Sequence, residues 1–282
     1  MQDLKKSLKK NTLYVLLSNP SAYLKVLIIR TLLIGMSTLV INLVLGYFKI
    51  EASLPSTMHS LIGIVIGLLL VFRTNTAYDR WWDGRKLISN VSQEIAFMSA
   101  RLLVMENHQT TEIIMGVRTE LNYFLDNLRN YLKDKEEENH NSLDFHIHQK
   151  HSIQNTMVLL KKIGDTPDTV ALHASLGKLL EYSNSLERIK NTPIPLSYVL
   201  HIKISIFIYM ITLPFGLFHD LGLWATPMVM LVYYIIAGVE IISNEIENPF
   251  ADDPNDLPTD TLFDVIVGTL WDVTQKRQDG KA

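Results

Sequence analysis

The sequence contains no cysteine. Disulfide frameworks, zinc fingers and thiol nucleophiles are therefore excluded. The chain also lacks a large excess of charge of one sign, because its formal net charge is only −3. This balance argues against nucleic acid as a partner, since proteins that bind nucleic acid usually carry a strongly basic surface.

Recognisable catalytic motifs are missing as well. The chain has no nucleophile elbow, no glycine loop that would cradle a phosphate and no HExxH pair. Paired carboxylates occur only in the stretch "NPFADDPNDLPTD". The sequence therefore offers no positive case for an enzyme and requires no cofactor. No segment alternates polar and apolar residues long enough to predict a sheet, so the predicted fold class is all α.

Four long apolar runs are present instead. About 20 apolar helical residues are needed to cross a hydrocarbon core of about 30 Å. The runs of about this length are residues 31–48, 54–72, 196–218 and 221–242. Short links join the first run to the second and the third to the fourth, which predicts two membrane hairpins within one domain, 1–282. Residues 73–195 and 243–282 are predicted to form a helical cytoplasmic region.

Basic residues predict the orientation of these runs. Lys5, Lys6, Lys9 and Lys10 precede the first run, and many more cations lie between residues 73 and 190. Lys49 is the only lysine or arginine in the two hairpin links. Because loops rich in lysine and arginine stay in the cytoplasm, we expect a multi-pass protein of the cell membrane, in contact with lipid and with both termini cytoplasmic.

Some ionisable residues lie inside or beside the runs. We expect Lys25, Arg30 and Glu240 to reach the membrane interface with their charged ends. The alternative is that such groups face a protein interior or a water-filled path. His201 and Lys203 lie deep in the membrane only if the third span begins at Leu196.

The cytoplasmic middle shows the helical period, with apolar residues three or four positions apart. The element "GDTPD" predicts a helix end followed by a new start, with Asp165 or Thr166 as N-cap ahead of Pro167. The stretch "NHNSLDFHIHQKH" clusters four histidines, which is one pattern of metal sites. Its polar and acidic surroundings favour a solvated linker instead. The histidines are His140, His146, His148 and His151.

Three motifs, taken together, resemble the bacterial branch of the bestrophin family. They are "FRTNTAYDRWWDGRKL" after the second run, "RIKNTPIPLSYVLHIK" before the third and "EIENPFADDPNDLP" after the fourth. The resemblance covers residues from about 10 to 275. It implies a homopentameric channel that passes small monovalent ions passively.

The resemblance also implies an apolar pore neck at Ile64, Leu68 and Phe72, counted back from "RWW". Residues i, i+4 and i+8 share one helix face, and five such faces around an axis would form rings that gate by dewetting. The alternative is that these residues face lipid or another helix. Gly63 and Gly67 form a small-xxx-small pair, which favours close helix packing within one subunit or between subunits.

Further site residues follow from the same resemblance. A second constriction is expected at Ile194, where Pro193 and Pro195 stiffen a turn whose exposed tip would point an apolar side chain at the axis. Arg73 and Arg80 would act as vestibule charges below the neck.

Calcium-gated family members bind calcium at positions that match Asp253 and Asp256. Here Pro254 and Asn255 interrupt the acidic run, which favours a capped, solvated turn over a calcium site.

The resemblance to bestrophins implies a chloride-conducting pentamer as the favoured function. A cation-selective channel of the same family is the first alternative, because an apolar neck carries no charge ring. A membrane-anchored helical scaffold or sensor without a pore is the second alternative, because much of the chain is predicted to be cytoplasmic and amphipathic.

Overall fold

The computed structural model describes residues 22–48, 55–133, 142–251, 253 and 255–279, apart from the side chains of residues 22, 23, 56 and 272–279. All regular structure in these ranges is helical, as predicted. The helices are α1 Ala22–Phe48, α2 Ser56–Met105, α3 Thr111–Lys133, α4 Ser142–Ile163, α5 Pro167–Asn191, α6 Leu196–Leu221, α7 Ala225–Glu247 and α8 Thr259–Asp279. One 3-10 turn, Gly222–Trp224, joins α6 to α7.

The first and third predicted apolar runs fall within α1 and α6. The second lies in α2 from Ser56 onwards, and the fourth begins four residues before α7, at the last residue of α6. By length and composition, three helical stretches of the described chain could cross a membrane: Leu24–Phe48, Thr57–Met105 and Pro167–Glu247. The last stretch is 81 residues long and contains both α6 and α7. Helix α1 begins nine residues before the first predicted run, because the residues before Thr31 are mostly apolar and continue the helix.

The chain divides into two compact units. We call the first the span unit, Met1–Tyr78 with Ile194–Glu245, and the second the bundle unit, Asp79–Pro193 with Ile246–Ala282. The boundaries cut α2 and α7, each of which is a continuous helix. Of α2, residues 56–78 belong to the span unit and residues 79–105 to the bundle unit.

The span unit has a small apolar centre between α2, α6 and α7. Its buried members include Ile66, Leu70, Ile202, Met210 and Val229. A Cβ added at Gly63 would lie 2.9 Å from Tyr209 Oη, so this glycine permits close packing within the chain. No described atom lies within 4 Å of the corresponding position at Gly67.

The bundle unit has a larger apolar centre, to which the strongly amphipathic α3 contributes one face. The buried side chains of α3 recur every three or four positions, as one helix face requires. The apolar ones are Ile114, Val117, Leu121, Phe124, Leu125, Leu128 and Leu132, beside the buried Arg118 and Tyr131. Each of the apolar side chains stabilises the fold by about 1.5–3 kcal/mol through its removal from water. The Tyr131 and Phe145 rings stack with centroids 3.9 Å apart, which joins α3 to α4.

The predicted helix boundary at "GDTPD" is confirmed. Gly164 has φ of +100°, and Thr166 is the N-cap of α5. The Thr169 backbone N–H donates to Thr166 Oγ1 at 3.2 Å, and the Thr166 backbone N–H donates to Thr169 Oγ1 at 2.9 Å. This reciprocal pair is a capping box, which satisfies amides that the first helical turn cannot pair itself.

The predicted solvated linker around the histidines is wrong from Ser142 onwards, because that segment is α4. Its buried face includes Gln149, Ser152 and Thr156 beside apolar residues, and the Ser183 hydroxyl donates to Gln149 Oε1 at 3.1 Å. His146 pairs with Glu187 at 3.2 Å. His140 lies outside the described residues.

Candidate functional site

The predicted neck residues form an exposed apolar stripe on α2. Ile64 is 67% exposed, Leu68 is 52% exposed and Phe72 is 55% exposed in the single chain. Their spacing of four positions places them along one side of the helix. The stripe therefore presents apolar side chains that the chain itself does not cover.

The opposite side of α2 explains this exposure. Ile66, Leu70, Arg73 and Ala77 are all less than 4% exposed. At 3.6 residues per turn, these positions point away from the neck stripe. One face of this part of α2 therefore packs on the other helices of the span unit. The other face is left for lipid, solvent or another copy of the chain.

Beside this face lies a buried charge network. The Arg73 guanidinium has no exposed side-chain surface and lies 3.4 Å from Glu240 Oε1. It also donates to Asn244 Oδ1, and Asn244 Nδ2 donates to Glu240 Oε1 at 2.7 Å. Lys203 Nζ lies 3.6 Å from the same carboxylate oxygen. Two cations and one amide thus neutralise and orient a carboxylate inside the apolar part of the chain.

Glu240 is paired inside the chain, as the alternative of a group that faces a protein interior requires, and its place relative to the membrane interface stays a prediction. Glu240 is 8% exposed, because the network with Arg73 compensates its burial. Lys25 and Arg30 are exposed, as their expected place at the interface requires. Lys203 also keeps half of its side chain exposed, at 49%.

Arg80 binds the ends of two helices. Its guanidinium donates to the backbone carbonyls of Ile189 at 2.6 Å, Thr192 at 2.5 Å and Glu247 at 3.1 Å. The first two carbonyls end α5, and the third ends α7. The final carbonyls of a helix lack intrahelical partners and carry the negative end of its dipole, so a cation there is stabilising. Both predicted vestibule arginines therefore have partners inside the chain, and a vestibule role stays a prediction.

The acidic turn after α7 packs on α2 within the bundle unit. Trp81 Nε1 donates to the Asn255 carbonyl at 3.0 Å. A Cβ on Gly84 would lie 3.1 Å from the Phe250 ring, so any other residue would require this ring to shift by a few tenths of an ångström.

The two acidic residues of this turn differ in burial. Asp256 is 6% exposed and its Oδ2 accepts from the Asp253 backbone N–H at 2.6 Å, whereas Asp253 itself is exposed. Asp256 thus closes the turn. Among the described residues, no group of three histidine, aspartate or glutamate side chains is placed to hold a metal ion. These contacts support the capped turn, and calcium at Asp253 and Asp256 stays a prediction.

Ile194 lies between α5 and α6 and is 7% exposed. The flanking Pro193 and Pro195 are exposed. The turn is thus exposed, as predicted, but its apolar side chain points inwards in the single chain. A second constriction at Ile194 remains a prediction.

A family model described as bacterial/fungal bestrophin protein matches residues 5–272 of the chain. The chain belongs to this bestrophin family. A voltage-dependent anion channel-forming protein of Nostoc sp. is 31% identical over 250 residues, which are 80% of each chain. A protein of the same description from Synechocystis sp. is 31% identical over 255 residues, 79% of each chain.

Solved bestrophin structures share the fold. A crystal structure of a bacterial bestrophin homolog from Klebsiella pneumoniae matches with a TM-score of 0.76. It is 22% identical in sequence and covers 88% of this chain and 98% of the other. With the apolar helices, these matches establish a membrane protein of a channel family, and they confirm the resemblance that the three motifs carried.

Sequence reasoning missed the charge network of this bestrophin. Its signal was a polar pair, Glu240 and Asn244, four positions apart at the end of an apolar run. Such a pair lies on one helix face. A cation at the end of a neighbouring run, Arg73, was the matching signal, but the pairing depends on how α2 and α7 pack.

Proposed function

We propose that this bestrophin forms a homopentameric anion channel of the cell membrane, with Ile64, Leu68 and Phe72 of each copy lining the neck. The observation that supports the pore most directly is the exposed apolar stripe on α2, opposite the buried face of the same helix. Five such stripes that face a common axis would line it with rings of apolar side chains and form a constriction that gates by dewetting. The names of the Nostoc and Synechocystis relatives support anion conduction.

The orientation predicted from lysines and arginines is part of this proposal. It places both termini and the bundle unit in the cytoplasm. The chloride preference rests on the relatives' names, because an apolar neck has no charge of its own. Five copies of Ile194 would form a second constriction only if that side chain left its present buried position.

The pore assignment is tested by conductance in planar bilayers. Wild-type protein should conduct chloride, and the triple variant Ile64→Ala/Leu68→Ala/Phe72→Ala should conduct more, because shorter side chains widen and hydrate the neck. The matched control is Leu33→Ala/Met36→Ala/Val40→Ala on α1, whose residues are 60%, 67% and 59% exposed. Equal conductance of wild type and neck variant would overturn the pore assignment.

Two further measurements test the other parts of the proposal. The mass of the particle in detergent should be that of five chains, whereas a monomer or dimer would favour the scaffold. In asymmetric NaCl, the reversal potential should approach the chloride equilibrium potential. A value near the sodium potential would show a cation-selective channel instead.

A further inference from the structure

The span unit contains a cavity of about 420 Å³ between α1, α6 and α7. Its polar wall includes Arg30, Lys203 and Glu240, and its apolar wall includes Ile34, Phe207 and Met210. The cavity opens to the outer surface, because Phe207 is 63% exposed and the Lys203 side chain is 49% exposed.

Charge at the polar end is net positive. Glu240 already pairs with the fully buried Arg73, at 3.4 Å, and Lys203 lies 3.6 Å from the same oxygen. Arg30 is exposed at the cavity wall and forms no ion pair with any residue that the structure describes. One carboxylate therefore faces three cations, so a negatively charged group would complement this end.

The sequence order of charged and apolar lining residues is the same on α1 and α6 and is reversed on α7. On α1, Arg30 precedes Ile34 by one turn, and on α6 Lys203 precedes Met210 by two turns. On α7, Ala237 precedes Glu240 and the order is reversed, as it must be in a helix that returns after the 3-10 turn. At 1.5 Å per residue, the cavity changes from charged to apolar over about 10 Å.

This gradient determines the kind of occupant. The ligand must carry an anionic group at one end and hydrocarbon at the other, and it must reach an opening that lies among exposed apolar side chains. Membrane phospholipids have this form, and anionic headgroups are attracted to lysine and arginine at the membrane surface.

We propose that this cavity binds an anionic phospholipid, with its phosphate between Arg30 and Lys203 and one acyl chain along Ile34, Phe207 and Met210. The Arg73–Glu240 pair then orients the polar end of the cavity, and because the pair is neutral in sum, the positive charge of Arg30 and Lys203 remains. This binding site is separate from the α2 stripe. The proposal rests on the membrane location and not on the proposed conduction.

Native mass spectrometry of the detergent-purified protein tests the proposal with phosphatidylglycerol and phosphatidylcholine of equal chain length. Phosphatidylglycerol should be retained more strongly by wild type, and Arg30→Gln/Lys203→Gln should lose about 25-fold in affinity for it, since each cation near the surface contributes about fivefold. The matched control Lys25→Gln removes an exposed cation of α1 outside the cavity and should bind as wild type does. Equal retention of both lipids by wild type, or undiminished phosphatidylglycerol binding by the double variant, would overturn the proposal.

Two more arms identify the source of the anion and guard against misfolding. Inorganic phosphate alone should not displace phosphatidylglycerol, and displacement at equal concentration would show a phosphate site instead of a lipid site. Phe207→Ser keeps both cations and changes an exposed side chain, so it should fold and should weaken binding of phosphatidylglycerol several-fold. Undiminished binding by this variant would contradict the acyl-chain contact.

Discussion

The span unit and the bundle unit distribute charge in opposite ways. In the span unit, exposed positions are mainly apolar and the buried Arg73–Glu240 pair lies inside. In the bundle unit, leucine, isoleucine and phenylalanine fill the centre, and most ion pairs lie at the surface. Arg129 and Asp264, for example, pair with side chains 27% and 66% exposed. Arg118 is the exception, because it is fully buried 3.9 Å from Glu106.

The different placement of charged side chains indicates a different surrounding medium for each unit. Water stabilises exposed charges and makes isolated buried charges costly, so a water-soluble helical bundle places charge outside. Exposed apolar positions suit contact with lipid, where a buried ionisable group is retained when it is paired, as Arg73 and Glu240 are. Each of the following predictions tests one side of this contrast.

The largest expected effect is in the centre of the bundle unit. Phe124 is 1% exposed, whereas its neighbour Tyr123 is 54% exposed. Phe124→Ala should lower the free energy of unfolding by about 3–5 kcal/mol, because it removes buried apolar surface and leaves a cavity. Urea titration of the purified protein in detergent, followed by helical circular dichroism, measures this value. Tyr123→Ala is the control and should change it by about 0.5 kcal/mol or less; equal losses would contradict the assigned core.

The buried pair of the span unit should respond almost as strongly. Arg73→Met leaves the Glu240 carboxylate buried with the Asn244 amide and the half-exposed Lys203 as its described partners, and the expected loss is about 3 kcal/mol in the same titration. The double variant Arg73→Met/Glu240→Met should recover most of it, because no unpaired charge remains. If the double variant is as unstable as the single one, the loss comes from altered packing and not from charge.

The smallest effect is expected at the surface of the bundle unit and depends on pH. Hydrogen bonds from Lys133 and Arg129 lower the pKa of Asp260. Its stabilising contribution is therefore complete above the ordinary aspartate pKa of about 3.9 and is lost as pH falls through the lowered value. Since Asp260 is partly exposed, this contribution is only about 0.5 kcal/mol.

Asp260→Asn should therefore lower stability at pH 7, and this effect should shrink as pH falls through the lowered pKa of Asp260. Asp264→Asn is the control, because Arg129 is its ion-pair partner among the described residues and it is more exposed than Asp260. A larger loss for Asp264→Asn than for Asp260→Asn would contradict the assigned network.

Several elements could be predicted from the sequence because local signals sufficed. The predicted helicity of the second apolar run and of the residues that follow it to Leu87 is confirmed, and both lie in α2, which no proline interrupts. The capping box at Thr166 is confirmed because its signal spans four residues. The family could be recognised from three short motifs in order.

Other features depend on packing between distant segments and were missed or predicted wrongly. The pairing of Glu240 was missed, because hydropathy does not show that Arg73, 167 positions away, reaches its carboxylate. The first part of α4, residues 142–151, was taken for a linker, since its many polar residues, the buried Gln149 among them, hide the apolar period. Gln149 is buried with hydrogen-bond partners on other helices, Phe124 and Asn127 of α3 and Ser183 of α5, and the sequence of one segment does not contain that information.

The three hydrogen bonds of Arg80 also have a consequence for biosynthesis. Its acceptors lie 109, 112 and 167 positions later in the chain. During translation, Arg80 therefore leaves the ribosome long before any of these carbonyls exist, and the last is made only after α7 is complete. The carbonyls of Ile189 and Thr192 become available more than 50 residues before that of Glu247. Arg80 can therefore bind the end of α5 first, and it joins the ends of α5 and α7 only after α7 has been synthesised.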